Sequence, residues 1–327
     1  MRIINQREAK ELLGMPEALD IVERAYEAYS RGRAKVPLRC NMELDQPEKY
    51  AMFMPGFVPD LGALGVKVVS VFPENGTRGL PNTLGVILLL NPVTGMPAGL
   101  IDGTYITELR TGAGTGVATR YLARADASVL ALIGTGGMAA KQLEAVCAVR
   151  PVTDVLVYNR TRTKAESFID QVQEEFGLPL VYHLVDSAEM AVRAADIVVA
   201  STTSVEPVVR FDWLKPGAHV NAVGAFHKGM QEIDEDTVVN ARYRVVDGID
   251  AAAVSGDIAN PLERGRIGRD ALLEIGALVA NKDAITRSNR DITLYKSVGL
   301  SVLDMAVANE VLVKAECLGV GDVCNSL

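Results

Sequence analysis

Two sets of residues in this chain have the type and spacing to do chemistry. The first is Gly134-Thr135-Gly136-Gly137-Met138-Ala139, which follows the apolar run 129–133 and precedes a helical pattern. A G-x-G-x-x-A turn lets backbone approach a pyrophosphate closely and sets that anion at a helix N-terminus. Alone, the glycine pattern is also a common strand-to-helix turn. Here a second strand pattern at 155–158 follows about twenty residues on, the spacing of a dinucleotide-binding βαβ unit. In units that prefer NAD an acid at the end of that second strand accepts from the ribose 2′-OH. This chain instead reads Asn159-Arg160-Thr161-Arg162-Thr163-Lys164. Guanidinium and neutral donors suit a 2′-phosphate, and cations opening a helix are unfavourable unless an anion lies beside them. NADP(H) is therefore the expected cofactor, with NAD(H) possible. Thr202 and Thr203, after an apolar run at 197–200, can line the same cofactor or be ordinary loop hydroxyls.

The second set is cationic. Lys67 lies inside the apolar run 64–71, where an ammonium needs either a buried anion or an exposed strand face. Arg39 and Arg110, judged from their residue types alone, are ordinary surface charges. His227, one of three histidines, can relay a proton or simply sit in an exposed loop. The acidic run Glu232, Asp234, Glu235, Asp236 reads as a helix start favoured by the macrodipole rather than a metal site, and no metal is expected.

The elements that must position these groups fall into three regions. Residues 6–30 have helical periodicity, broken at Gly14-Met15-Pro16, where a second helix can begin. From 36 to 102 short apolar runs at 50–54, 63–72, 83–90 and 97–102 read as strands, and Asn91 to Gly95 is a turn signal for an antiparallel pair. From about 127 strands and helices alternate, the pattern of a doubly wound parallel α/β sheet. The tail beyond Thr293 reads as a helix rich in Leu, Val and Ala. Asp304 is expected to cap a helix or lie between domains, and Trp213 to be core.

Composition narrows the function classes. With 33 basic and 41 acidic residues the net charge is -8, so the chain lacks the basic surface a nucleic-acid partner needs. Four cysteines without C-x-x-C spacing suit a reducing cytoplasm. No apolar run is long enough to span a bilayer, and the charged N-terminus does not read as a signal peptide.

Taken together, Val36-Pro-Leu-Arg39, Met54-Pro-Gly56, Gly65-Val-Lys67, Asn82-Thr83, the segment from Leu100 to Arg110-Thr-Gly-Ala, the glycine turn, and the segment from Ile292 through Ser297-Val-Gly299 to Asp304 resemble the ornithine cyclodeaminase and mu-crystallin family over nearly the whole chain. The resemblance implies a substrate-binding and dimerisation domain from residues 1–119 and 296–327, with a Rossmann domain at 120–295 between them, and a homodimer. It implies that Arg39 and Arg110 hold a substrate carboxylate, that Lys67 lies beside the reacting nitrogen or carboxylate, that Thr83 contributes to the substrate site, and that Val223, Gly224, Ser297 and Gly299 lie near the nicotinamide. One departure matters. Where the cyclodeaminases carry an Asp that exchanges a proton with the substrate amine, this chain has Phe226. A phenyl ring is no general base, so the expectation becomes an NADPH-dependent reductase of a small cyclic ketimine of the Δ1-pyrroline-2-carboxylate type, with Phe226 against the ring. The alternatives are an ornithine cyclodeaminase using another base, an alanine-type amino-acid dehydrogenase, and a non-enzymatic NADPH-binding protein.

Overall fold

The computed structural model describes residues 1–37, 39–44 and 49–325. The chain divides into two compact units, Met1–Arg110 with Leu300–Leu327, and Thr111–Gly299. Their boundaries lie at 110/111 and 299/300, not at the expected 119/120 and 295/296. The first boundary falls inside one continuous helix, Gly103–Leu122, which the sequence reading did not anticipate.

In the first unit, a seven-stranded sheet runs Asp322–Val323, Arg2–Ile4, Pro97–Asp102, Thr83–Leu90, Ala63–Val71, Tyr50–Val58, Cys40–Glu43. The expected antiparallel pair is observed at Thr83–Leu90 and Pro97–Asp102, and Asn91 and Gly95 close the turn between them. The two N-terminal helices are Gln6–Leu12 and Met15–Ser30. The first is capped reciprocally by Asn5 and Glu8, and Pro16 opens the second, where its missing N–H costs nothing. The second helix buries Met15, Leu19, Val22 and Tyr26, one apolar stripe at helical spacing.

The C-terminal helix Ser301–Leu318 is buried over most of its length and lies on the face of the sheet that holds Met54, Lys67 and Ile87, which are aligned across three strands. Gly56 permits this approach. A Cβ on Gly56 would lie 2.9 Å from Ser301 Oγ.

The opposite face of this sheet carries Phe53, Phe57, Val66, Val68, Val86 and Leu88, none of them fully buried. Strand Ala63–Val71 is thus apolar on both faces. An antiparallel sheet with one wet side normally alternates with polar residues.

The second unit is an eight-stranded parallel sheet in the order Leu272–Glu274, Tyr243–Val246, Thr293–Lys296, His219–Ala222, Ile197–Ala200, Val129–Ile133, Asp154–Tyr158, Val181–Leu184. Successive residues of Val129–Ile133 enter two cores. Leu130 and Leu132 pack with Leu143, Val146 and Val155, while Ala131 and Ile133 pack with Ala191 and Val198. A sheet buried on both faces explains the unbroken apolar runs. The segment beyond Thr293, expected to be helical, begins with strand Thr293–Lys296 inside this sheet. Among the described residues, no helix is long and apolar enough to cross a membrane, and no group of three or more His, Cys, Asp or Glu is placed to hold a metal ion.

Candidate active site

In the second unit, the chain leaves strand Val129–Ile133 for strands on one side and returns at Ile197–Ala200 on the other. This reversal opens a crevice at the carboxyl ends of those two strands, the usual ligand position in doubly wound sheets. The glycine turn lies there. Gly134 is buried at φ +93°, and a Cβ on it would come within 2.5 Å of Ser201 O. Gly136 and Gly137 are exposed, and a Cβ on Gly136 would meet nothing within 4 Å. The turn is therefore closed at its base and open at its tip, as a pyrophosphate cradle requires. Met138 forms the N-cap of helix Ala139–Val149 without a side-chain hydrogen bond, so that helix end has no internal anion. Thr135 Oγ1 is buried without a hydrogen-bond partner, while Thr135 N–H donates to Asn159 Oδ1 at 3.3 Å. An orphaned hydroxyl beside an open helix N-terminus fits a phosphate-bearing ligand.

The cations expected beside a 2′-phosphate separate. Arg160 and Thr161 are exposed after strand Asp154–Tyr158. Arg162, which opens helix Arg162–Phe176, is engaged by Asp186 at 2.6 Å and Glu166 at 3.2 Å. The pair of acids supplies the anion that its helix position demands.

Thr202, Val223, Gly224, Ser297 and Gly299 all lie at the carboxyl ends of neighbouring strands, and Thr203 is exposed in the same loop as Thr202. Ser297 Oγ and the N–H groups of Val298 and Gly299 donate to Asp247 Oδ2 at 2.8, 2.9 and 2.7 Å. Asp247 and Glu232, both fully buried, were missed as site residues. Glu232 was read as part of a helix start, but that helix is Glu235–Asn240 with Asp234 as its N-cap. Nothing local in the sequence separates a buried acid from a solvated one two residues away. Phe226 and His227 stack edge to face at 5.2 Å, and His227 is exposed with Nδ1 accepting from Gly229 N–H at 3.1 Å. Only Nε2 of that ring is left to deliver a proton while this bond persists.

In the first unit, Lys67 and Arg110 converge on one carboxylate oxygen. Lys67 Nζ lies 2.8 Å and Arg110 Nε 2.9 Å from Asp304 Oδ1, and all three residues are buried. Lys67 also donates to Thr107 Oγ1 at 3.3 Å. Asp304 is therefore neither a cap nor an interdomain residue. It comes from the first turn of the C-terminal helix, and its Oδ2 is buried without a hydrogen-bond partner. Burial pushes the Lys67 ammonium down to about 8; Asp304 opposes the shift, and Arg110 and Arg39 add to it by repulsion. Two buried cations, Lys67 and Arg110, against the one carboxylate of Asp304 leave a surplus positive charge in a dry place. Such a cluster has a net demand for one more anion. Thr83 is exposed at the start of its strand, paired with Val71 and on the Lys67 face, four pairs along from the Lys67–Ile87 pair.

Known proteins carry the same architecture. A Bacillus cereus protein named Δ1-pyrroline-2-carboxylate reductase is 38% identical over 324 residues, 98% of this chain and 99% of its own. The structure of Thermococcus litoralis Δ1-pyrroline-2-carboxylate reductase in complex with NADH and L-proline superposes with a TM-score of 0.94 at 39% identity, covering 99% of this chain and 100% of that one. An archaeal alanine dehydrogenase dimer with bound NAD gives a TM-score of 0.90 at 34% identity over 98% of both chains. The family model for the ornithine cyclodeaminase/mu-crystallin family matches residues 2–317, and this chain belongs to that family.

Proposed function

We propose that this protein is a nicotinamide-dependent reductase of a small cyclic imine bearing a carboxylate, of the Δ1-pyrroline-2-carboxylate type. The observation that carries the reading is the buried Lys67–Asp304–Arg110 cluster with its surplus positive charge. The relatives named for this reaction, one of them solved with NADH and L-proline, support it.

Arg110 spends its Nε on Asp304, so its terminal nitrogens are the donors offered to a substrate carboxylate, with Arg39 as a second clamp. A dinucleotide held with its pyrophosphate at the Gly134 turn would supply the hydride that reduces the carbon of the C=N bond. The π pair then moves to nitrogen, which takes a proton. Lys67 Nζ, held near neutrality by burial, can give that proton. Phe226 offers an apolar surface and no base, which disfavours loss of ammonia from an open-chain diamine. Arg160 would admit a 2′-phosphate, so both cofactors are accommodated with NADP(H) preferred.

The apolar second face of the first unit's sheet is suited to a second copy of this chain. The solved archaeal alanine dehydrogenase dimer supports a homodimer.

The test is to follow oxidation of NADPH and NADH by purified protein with pyrroline-2-carboxylate and piperideine-2-carboxylate. Turnover with either imine is expected. Turnover only with alanine and oxidised cofactor, or release of proline from ornithine without added reductant, would move the assignment elsewhere in the family.

A further inference from the structure

A dinucleotide laid across the crevice has its pyrophosphate at the Gly134 turn. With strand Asp154–Tyr158 on one side of Val129–Ile133 and strands Ile197–Ala200 and His219–Ala222 on the other, its adenosine half would lie toward the first and its nicotinamide half toward the other two. The loops that leave these last two strands touch. A Cβ on Gly224 would fall 2.1 Å from Thr202 O and 2.4 Å from Thr202 N, so only glycine allows the approach.

One side chain binds both loops. Glu232 Oε1 accepts from Thr202 N–H at 2.6 Å and Thr202 Oγ1 at 2.9 Å, while Oε2 accepts from Gly224 N–H at 2.6 Å and Ala225 N–H at 2.9 Å. Its own backbone is fixed as well. Glu232 N–H donates to Asp257 Oδ1 at 2.7 Å, and its carbonyl accepts from Val208 and Val209 N–H at 2.8 and 3.0 Å. Behind it, Lys296 Nζ lies 2.8 Å from Asp257 Oδ2, with both side chains fully buried. Burial of a carboxylate is costly and pushes the Glu232 carboxyl up; the buried Lys296 ammonium and the backbone donors at Thr202 and Ala225 oppose that shift only in part, and Asp257 adds to it. Apolar packing could have held these loops without that cost, but only a two-oxygen acceptor can set four donors from two loops in one fixed arrangement.

We infer that Glu232 is a positioning residue for the nicotinamide half of the cofactor, acting through Thr202 and Gly224–Ala225 and not through the adenosine half. This rests on the reading of the Gly134 turn as a dinucleotide site. Glu232→Gln keeps the size of the side chain but presents an NH2 where one pair of donors needs an acceptor, so one loop is released.

The experiment measures binding of NADPH and NADH, and of their adenosine-half fragments 2′-phospho-ADP and ADP, to wild type and Glu232→Gln. The expected result is a roughly tenfold loss of affinity for the intact dinucleotides, unchanged affinity for the fragments, and a fall of about 10²-fold in kcat. Equal losses for dinucleotide and fragment, or no loss for either, would overturn the clamp. Failure of wild type to bind any of the four would instead remove the dinucleotide site itself. If Glu232→Gln does not fold, hydrogen exchange on wild type decides. Peptides containing Thr202 and Gly224–Ala225 should be as protected as the adjacent strands, and rapid exchange in both would overturn the proposal.

Discussion

Lys67 Nζ and Asp304 Oδ1 lie 2.8 Å apart across 237 residues of sequence, one on a strand and the other on the C-terminal helix, with both side chains buried. The pair joins the two ends of the chain within one unit. Asp304→Asn would leave Lys67 and Arg110 buried without their shared counter-charge. Removing one partner from such a cluster costs about 3–5 kcal/mol, so the melting temperature should fall by many degrees. Asp304 also holds the Lys67 pKa up, so the alkaline limb of the rate profile should move to lower pH. A variant matching wild type in both melt and profile would show that the two residues are uncoupled.

The sequence made the need for this pair legible without identifying the partner. An ammonium inside an apolar run must find an anion, but Asp304 sits in a helix whose local pattern looks the same with or without a buried contact. The glycine turn was readable because strand, turn and helix are contiguous. The helix Gly103–Leu122 was missed because its glycines and threonines carry little helical propensity, and tertiary burial supplies what propensity lacks. Strand Thr293–Lys296 was missed for the opposite reason. Four buried residues are too few to show a period. Glu232 and Asp247 could not be distinguished from solvated acids, since their partners are mostly backbone amides from other strands.

The two glycines of the turn should respond differently to substitution. Gly136→Ala adds a methyl group toward open space, so thermal stability should be little changed while dinucleotide affinity falls. Gly134→Ala combines a positive φ with a 2.5 Å contact to Ser201 O and should destabilise the fold itself by about 1–3 kcal/mol. Calorimetric melts with and without cofactor would check both. Equal stability of the two variants would contradict the geometry.

Cofactor choice should respond to Arg160 and not to Arg162. Arg162 is held by Asp186 and Glu166, whereas Arg160 is exposed at the end of its strand. Arg160→Ala should lower kcat/KM for NADPH about tenfold, the worth of one charge-assisted hydrogen bond, and leave NADH nearly unaffected. The same ratio measured for Arg162→Ala should stay near that of wild type.

The second face of the first unit's sheet should govern assembly. Val68 and Val86 are paired across two strands on that face, so Val68→Glu and Val86→Lys each place an unpartnered charge in the proposed dimer contact. Light scattering after size exclusion should give a dimer for wild type and a shift toward monomer for each variant. Unaltered dimers from both would locate the interface elsewhere.

Stability and activity should respond to Lys67 with opposite signs as pH rises. Its folded pKa is about 8, below the ordinary 10.5, with burial as the main cause. Between those values the unfolded chain holds a proton at this residue that the folded chain has released, so this group makes stability increase with pH, by at most about 1.4 kcal/mol per pH unit. In the proposed reaction the charged form is the proton source, so kcat/KM should fall as pH rises through about 8. Lys67→Met isolates the two effects: the stability difference between wild type and variant should change across that window, and turnover should drop by roughly 10²- to 10⁴-fold while NADPH binding persists. An alkaline limb that survives in whatever turnover Lys67→Met retains would assign the titrating group to another residue.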